Sequence, residues 1–179
     1  MNTLKPHDHV PQLATQRLLL RGHRLADFAA CVAMWSDPQI TRYTIGEPSS
    51  AQRTWMRILG YHGHWALLGF GYWAVEEKTT GQYIGELGFA DFKRDLKPSI
   101  DGIPELGWAL AAHAHGKGYA TEALHAALAW GDRHFKPVRT VCLISPNNIA
   151  SLRVAAKLGY QEIARTTKGA EPEIIFERG

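Results

Sequence analysis

Apolar residues recur along the chain at two spacings, and these spacings predict an alternation of strands and helices. Period-two alternation and β-branched runs predict strands, whereas recurrence at three and four residues predicts amphipathic helices. Strands are predicted over residues 17–21, 72–77, 82–90, 103–111, 138–144 and 173–176. Helices are predicted from residue 24 to the Asp37-Pro38 pair, over 50–67, after Gly118, and from Asn147 or Asn148 to Gly159. The order β, α, α, β, β, β, α, β, α, β, β indicates a mixed α/β sheet covered by helices.

The helical segments differ in how clearly they define a buried face. The helix after Gly118 has a face of small and apolar residues at helical spacing: Ala120, Leu124, Ala127, Leu128 and Gly131. The helix that starts near residue 24 is predicted to bury Leu25, Phe28, Ala29, Val32 and Trp35. Residues 36–50 are predicted to form a loop that ends at Ser50, the N-cap of the next helix. Residues 78–81 and 91–102 are predicted to be a hairpin turn and a polar loop.

The composition is that of one ordinary globular domain over residues 1–179, with residues 1–14 as a poorly ordered lead-in. The net charge of +3, from 20 basic and 17 acidic residues, does not favour nucleic acid as a partner. The longest nearly apolar run, Trp65–Val75, is shorter than the roughly 20 residues that a membrane span needs. The first residues lack the apolar region of a secretory signal, and the two cysteines have no C-x-x-C spacing. We therefore expect a cytoplasmic protein that does not bind membranes.

The segment Leu106–Leu128 combines a predicted strand, a glycine loop and a helix start. Gly116-Lys117-Gly118 separates the strand from the helix, so unpaired N–H groups of the first helical turn face the loop. That arrangement binds anions, above all phosphates. A dinucleotide motif would need glycine at position 121, where Thr121 stands, and a Walker motif would need Ser or Thr directly after Lys117. The loop therefore predicts a phosphate site of another kind.

The glycine loop is one of four short motifs in this chain. His113–Gly118 fits the pattern Q/R-x-x-G-x-G/A, with His113 in place of Gln or Arg, and continues as G-K-G-Y-A-T-E-A. The other motifs are T-x-R-L-x-L-R from Thr15, S-D-P from Ser36, and N-x-x-S-x-R-V-x-x-K-x-G from Asn148. Together they resemble the GNAT acyl-CoA transferases, in particular the RimJ/RimL-like branch, and the resemblance covers the chain from about residue 15 to its end.

The resemblance implies a mixed, mostly antiparallel sheet that splays between two central strands and carries helices on both faces. It implies acetyl-CoA as cosubstrate and direct transfer of an acetyl group to a primary amine, either a protein N-terminus or a small molecule. A bulge in strand 106–111 would open the splay, and helix 50–67 would form one wall of the acceptor pocket. It implies no metal and no nucleic acid, and the chain would be a monomer or a homodimer. A GNAT-fold protein that binds CoA without catalysis, as a sensor or scaffold, is the alternative.

The family motifs assign residues to the cofactor site. Cofactor contacts are expected from Leu110, His115, Gly116, Lys117, Gly118, Tyr119, Ala120, Asn148 and Ser151. Ser151 is also expected to donate a proton to the leaving thiolate. Many other GNAT branches use a tyrosine four residues before the motif glycine for this step, but Ala155 stands there in this chain.

The base that deprotonates the amine has three candidates: Glu105, Glu86 or a water molecule. Glu105 lies on the strand before the loop and shares its face with Gly107 and Ala109, so that this side should be open. The catalytic prediction therefore names Glu105 together with Ser151. The alternative interpretation makes Glu105 and Glu86 surface carboxylates at the edge of the sheet.

Other chemistry-bearing residues point to structural roles. His62-x-His64 and His113-x-His115 have no Cys or carboxylate at ligand spacing, so a metal site is not favoured. Cys142 lies inside an apolar strand and is expected in the core.

Overall fold

The computed structural model describes residues 10–169 and 171–179, so residues 1–9 of the predicted lead-in lie outside the described residues. The strands are β1 (Leu13–Ala14), β2 (Leu18–Arg21), β3 (Tyr72–Glu77), β4 (Gln82–Ala90), β5 (Glu105–Leu110), β6 (Thr140–Ile144), β7 (Gln161–Lys168) and β8 (Glu171–Arg178). The α-helices are α1 (Phe28–Trp35), α2 (Pro38–Thr41), α3 (Ala51–Leu68), α4 (Tyr119–His134) and α5 (Ile149–Lys157). Short 3-10 turns over 25–27 and 112–114 precede α1 and the glycine loop.

The eight strands form one sheet in the order β1-β2-β3-β4-β5-β6-β8-β7. Every neighbouring pair is antiparallel except β5 and β6, which are parallel. The predicted mixed, mostly antiparallel α/β sheet is thus confirmed. Within the described part of the chain, no helix has the length and apolar character that crossing a bilayer requires.

Helices cover both faces of the sheet because successive strand residues point to opposite sides. On β3, Trp73 and Val75 pack with α4 and α5 in the largest hydrophobic cluster. Ala74, between them, packs on the other face with residues of α1 and α3, among them Cys31 and Ile58. The sheet is therefore a buried central layer.

The predicted elements agree with the structure where turn or cap chemistry marks their ends. The bounds of β3 and β4 are those predicted, and Gly81 has a φ of +67° in the turn between them. Ser50 accepts a hydrogen bond from the Arg53 N–H, 3.2 Å away, as the predicted cap of α3. Asn148 in turn caps α5.

Four predictions need correction. The first described residues are ordered, since β1 pairs with β2 and Val10 is buried. The predicted loop 36–50 contains α2, which begins at Pro38. The predicted helix face was right for Trp35 but wrong elsewhere: Leu25, in the turn before α1, is 74% exposed, Ala29 is exposed, and Cys31 and Met34 are buried instead. The last strand is β8, which extends over eight residues and pairs with β7 rather than spanning only 173–176.

The central strands β5 and β6 separate soon after they meet. Their only registered pair is Glu105 with Val141, and the Val141 N–H donates to the Pro104 carbonyl oxygen at 3.1 Å. The predicted splay is therefore present. The bulge expected in β5 is not: β5 pairs with β4 in unbroken register. Register shifts lie instead between β3 and β4, beside Ile84, and between β7 and β8.

Candidate active site

A cleft of about 130 Å³ lies where β5 and β6 separate. Its walls come from many parts of the chain, among them the loop before α3, helix α3, strand β5, the start of α5 and the β7–β8 hairpin. The lining residues used below are Arg57, Tyr72, Arg94, Glu105, Trp108, Asn148, Ser151, Lys168 and Glu173. One end of the cleft is thus the splay between β5 and β6, and the other end contains several charged side chains.

The glycine loop stands at the end of β5 and leads into α4. Gly116 and Gly118 have φ angles of +74° and +77°, in the left-handed region that other residues avoid, and Gly118 is the N-cap of α4. Residues 115–118 are exposed, so the unpaired backbone N–H groups at the start of this 16-residue helix are open to a ligand. The predicted anion cradle therefore has the required geometry.

The side chains of the loop face several directions. The predicted ligand-binding residue His115 places its Nε2 atom 2.8 Å from the Leu110 carbonyl oxygen, which fixes the turn between β5 and the loop. Tyr119 is buried, and its hydroxyl donates to Glu77. Only the backbone of Tyr119 is therefore placed to meet a ligand at the helix start. Lys117 and Ala120 lie in the loop and the first turn, as predicted.

Behind the loop, the motif that starts at Thr15 meets the motif that starts at Gly116. Glu122 of α4 accepts hydrogen bonds from the Thr15 hydroxyl at 2.6 Å, the Arg17 N–H at 2.9 Å and Arg17 Nε at 2.7 Å. Arg17 Nη1 then donates to the Lys117 carbonyl oxygen at 2.9 Å. We call Thr15, Arg17 and Glu122 the loop clamp, because they fix the carbonyl side of the loop and leave its N–H side open.

Asn148 and Ser151 lie together at the start of α5, on the wall of the cleft. Asn148 Oδ1 accepts a hydrogen bond from the Ser151 N–H at 3.1 Å, so the asparagine caps the helix. Among the described residues, the Ser151 hydroxyl makes no hydrogen bond, and both side chains are half-buried in the cleft wall. The structure thus brings these two predicted residues together beside the splay.

Glu105 lines the cleft, as the prediction requires, but it is held by a cation. Arg94 Nε and Nη2 lie 2.7 and 3.0 Å from the two carboxylate oxygens of Glu105. Glu105 is only 6% exposed, so its interpretation as a surface carboxylate is wrong. The face that it shares with Gly107 and Ala109 lines the cleft, and the Tyr72 hydroxyl lies against Gly107 on this side. To act as a base, Glu105 would have to give up a charge-assisted hydrogen bond.

Glu86 is fully buried behind the cleft wall, so the surface interpretation is wrong for it as well. One of its oxygens accepts from Trp35 Nε1 at 3.0 Å and from the Tyr61 hydroxyl at 2.5 Å. The other accepts from the Tyr83 hydroxyl at 2.8 Å and lies 3.3 Å from His23 Nε2. Burial raises the pKa of the Glu86 carboxyl, but the contacts with His23 and Tyr61 outweigh it, and the net pKa is lowered. Glu86 is therefore a buried carboxylate that links α1 and α3 to the sheet.

Three possible metal ligands meet in this network. The ligand atoms of His23, Cys31 and Glu86 lie within 4.8 Å of one another. However, the Glu86 oxygens are already acceptors for three O–H and N–H donors. Burial also raises the pKa of the Cys31 thiol to about 12, so the thiolate that binds metals is disfavoured. The group fits a hydrogen-bond network better than a metal site.

Glu173 is a candidate base that the sequence did not reveal. It lies on β8 opposite Thr166, is buried, and lines the cleft. Its Oε2 atom is buried and has no hydrogen-bond partner among the residues that the structure describes. Burial raises the pKa of the Glu173 carboxyl above its ordinary value, although Lys168 and Arg94 act in the opposite direction. A carboxylate with a raised pKa and a vacant oxygen is suited to accept a proton.

The edge of β5 offers backbone donors to the splay. The Ala111 N–H donates to the Ile84 carbonyl oxygen at 2.9 Å, toward β4. Because N–H groups alternate along a strand, those of Trp108 and Leu110 point to the opposite side. Pairing with β6 has ended by then, so both groups face the gap. Trp108, Arg57 and Lys168 were not among the predicted site residues, although all three line the cleft.

Comparison with known proteins agrees with this geometry. The chain matches the acetyltransferase (GNAT) domain over residues 17–161. It is 29% identical to YkkB of Bacillus subtilis, over 93% of this chain and 95% of YkkB. Among solved structures, a GNAT-family acetyltransferase from Bordetella pertussis has a TM-score of 0.83 and 30% identity, over 94% of this chain and 99% of that one. RimL, a ribosomal alpha-N-protein acetyltransferase in complex with coenzyme A, has the same fold at 15% identity and a TM-score of 0.73, over 94% and 97% of the chains.

Proposed function

The chain belongs to the GNAT acetyltransferase family and is an acyltransferase, and we propose that it moves an acetyl group from acetyl-CoA directly to a primary amine. The observation that carries this proposal is the alignment of three features: the glycine loop, the splay beside it, and the charged cleft at the end of the splay. This order suits a donor that binds along the splay and an acceptor that enters the cleft. Acetyl transfer would then occur in a ternary complex.

The donor site combines backbone and side-chain groups. The N–H groups of residues 116–120 would bind the pyrophosphate of acetyl-CoA, helped by the dipole of α4. The gap between β5 and β6 would take the pantetheine arm, and Asn148 would contact it from α5. The Trp108 N–H, which points into the gap, would donate a hydrogen bond to the acetyl oxygen as negative charge develops there.

The reaction forms a C–N bond between the amine and the acetyl carbon and breaks the C–S bond of the donor. One proton must leave the amine, and one must reach the thiolate. Glu173 would accept the first, because the residue lines the cleft and its Oε2 atom has no hydrogen-bond partner among the described residues. Ser151 would supply the second, since its hydroxyl has no competing hydrogen bond among the described residues. Glu105, the base predicted from the sequence, stays a candidate, but it is already engaged by Arg94.

The need for a base depends on the kind of amine. At pH 7, neutralising an α-amino group costs about 1.1 kcal/mol, and neutralising a lysine amine about 4.6 kcal/mol, from reference pKa values near 7.8 and 10.4. A single carboxylate base is therefore better matched to an α-amine. The fold likeness to RimL is compatible with a protein N-terminus as acceptor, and a small α-amine satisfies the same chemistry.

The setting proposed for this reaction is the cytoplasm. Both cysteines are free and buried in the structure, which suits a reducing compartment. The proposed enzyme acts as a monomer or a homodimer.

The proposal is tested by mixing the purified protein with acetyl-CoA and a panel of primary amines. Thiol release that depends on the amine, with a matching acetyl mass shift on that amine, supports acetyl transfer. Acetyl-CoA binding in a calorimeter without amine-dependent thiol release would instead favour the non-catalytic sensor or scaffold.

Removing Arg17 from the loop clamp should weaken the binding of acetyl-CoA. We expect Arg17→Ala to raise the Kd for acetyl-CoA about fivefold, or about 1 kcal/mol, because the Lys117 carbonyl oxygen loses its charged donor. Titration calorimetry measures the change. Arg139→Ala is the control, since Arg139 forms a comparable exposed ion pair with Glu177 away from the cleft. Equal affinities for both variants would show that the clamp does not order the loop.

Replacing Ser151 should affect the chemical step more than donor binding. We expect Ser151→Ala to lower kcat about tenfold with a smaller rise in KM for acetyl-CoA, because the hydroxyl matters most when the sulfur gains charge. Steady-state kinetics with varied acetyl-CoA separates the two constants, and Ser99→Ala in an exposed loop is the control. A change confined to KM would make Ser151 a binding residue and leave protonation of the thiolate to water.

A further inference from the structure

Two cations at the acceptor end of the cleft form no ion pair with an acidic side chain in the part of the chain that the structure describes. Arg57 of α3 stacks on Trp35, with its guanidinium carbon 3.9 Å from the ring centroid. Lys168, at the end of β7, donates from Nζ to the Thr44 carbonyl oxygen at 2.8 Å. Among the described residues, neither cation forms an ion pair with a carboxylate, and both line the cleft. Their charges are therefore available to a ligand.

The carboxylates nearby do not supply the missing partner. Both oxygens of Glu105 are engaged by Arg94. Glu173 lies close enough to Lys168 to influence its pKa, but among the described residues its side chain makes no hydrogen bond and no ion pair with Lys168. Glu86 lies behind the wall, and its oxygens are filled by donors from that side. Its charge helps to keep Arg57 ionised, but among the described residues the two side chains form no ion pair.

The geometry of the two cations suits a carboxylate. A guanidinium that is stacked on an aromatic ring is held in one plane, and its edge can donate two parallel hydrogen bonds to a carboxylate. Lys168 has three N–H donors, of which the contact with Thr44 uses one. A second ammonium on the acceptor, as in a diamine, would instead meet like charge. The cleft therefore favours acceptors that carry a carboxylate over acceptors that carry a second ammonium.

The size of the cleft limits the acceptor further. The contact between Lys168 and Thr44 joins the β7–β8 hairpin to the loop before α3, two segments 124 residues apart. This contact lies across one side of a cleft of about 130 Å³. A compact molecule fits there more readily than an extended polypeptide.

We propose that the acceptor is a compact α-amine that carries a carboxylate, as an amino acid does, and that Arg57 and Lys168 bind this carboxylate. This inference rests on the proposed acetyl transfer, in which the amine nitrogen gives its proton to the base and takes the acetyl group from sulfur. The carboxylate fixes one end of the acceptor and directs the amine toward the donor. Arg57 and Lys168 are thus determinants of specificity.

The test compares acceptors that differ only in charge. Common L-amino acids, their C-terminal amides and the diamine putrescine are assayed with acetyl-CoA by thiol release. We expect kcat/KM for the best amino acid to exceed that of its amide at least about tenfold. In Lys168→Met and Arg57→Gln this preference should shrink to about threefold or less, chiefly through a higher KM for the acid. Lys157→Met, at an exposed site on α5, should keep the preference.

A binding measurement separates this inference from the proposed function. Calorimetric titration of the same acids and amides into the complex with CoA reports recognition of the carboxylate without turnover. Selective binding of an acid, lost in Lys168→Met, supports the inference even where no thiol is released. Equal use or binding of acid and amide, or a preference for putrescine or a peptide N-terminus, would overturn it.

Discussion

Glu173→Gln is expected to lower kcat/KM for the amine by about 10²-fold or more, the usual effect of losing a general base. Glutamine keeps the shape of the side chain but cannot accept the proton. The affinity for acetyl-CoA should stay unchanged, because acetyl-CoA is proposed to bind to the glycine loop and Asn148, and Glu173 is not part of that donor site. Kinetics with varied amine and calorimetry with acetyl-CoA measure the two quantities.

The pH dependence gives this prediction a second readout. The loss should become smaller as the pH approaches the pKa of the amine, because solvent then supplies the neutral nucleophile. A uniform loss at all pH values would mean that Glu173 positions the substrate instead. Glu105→Gln is the matched comparison: a larger loss there than in Glu173→Gln would assign the base to Glu105, as the sequence predicts.

The same substitution should change stability in a defined direction. The folded state raises the pKa of the Glu173 carboxyl, mainly through burial. A raised pKa means that the native state prefers the protonated form, so stability is lost as the pH rises through the folded pKa. Glu173→Gln removes this loss, and its Tm near neutral pH should equal or exceed that of the wild type. A marked fall in Tm would show that the carboxylate has a structural role.

Much of the fold could be predicted from the sequence where local chemistry marks an element. The turn before Gly81 separates two apolar segments, so β3 and β4 were predicted with the observed bounds. The helix α2 was missed because four residues are too few to show a period. The predicted face of the first helix was right for Trp35, which donates to Glu86, but wrong for Leu25, because Leu25 lies in a 3-10 turn before α1 and not on the helix.

The candidate site was predictable only where its residues are close in sequence. Gly116 and Gly118 lie in one motif, and Asn148 and Ser151 in another, so spacing alone identifies them. Glu173 belongs to the site because β8 lies between β6 and β7 in the sheet, and no local pattern shows that order. One signal was available. Glu173 is two residues from Ile175 and so shares its face of the strand. Ile175 is fully buried, so the carboxylate also lies on an inward face.

The role of Glu86 also depends on contacts far apart in sequence. Trp35 of α1, Tyr61 of α3 and Tyr83 of β4 all donate to this one carboxylate. Trp35 and Tyr61 also line the cleft. Glu86 therefore holds the acceptor wall against the sheet, and its loss should affect stability more than any exposed substitution.

Glu86→Ala is expected to lower the free energy of unfolding by about 3–5 kcal/mol, because it leaves three buried donors without an acceptor. Urea denaturation measures the change, with Glu162→Ala as control, since the exposed pair with Arg165 should contribute less than about 1 kcal/mol. The folded pKa of Glu86 is lowered, so its stabilising contribution is present above the unfolded pKa and is lost as the pH falls through the folded value. Glu86→Gln should therefore lose less stability than the wild type on acidification below the ordinary value of 4.5. If both alanine variants unfold at the same urea concentration, the buried carboxylate does not hold the wall in place.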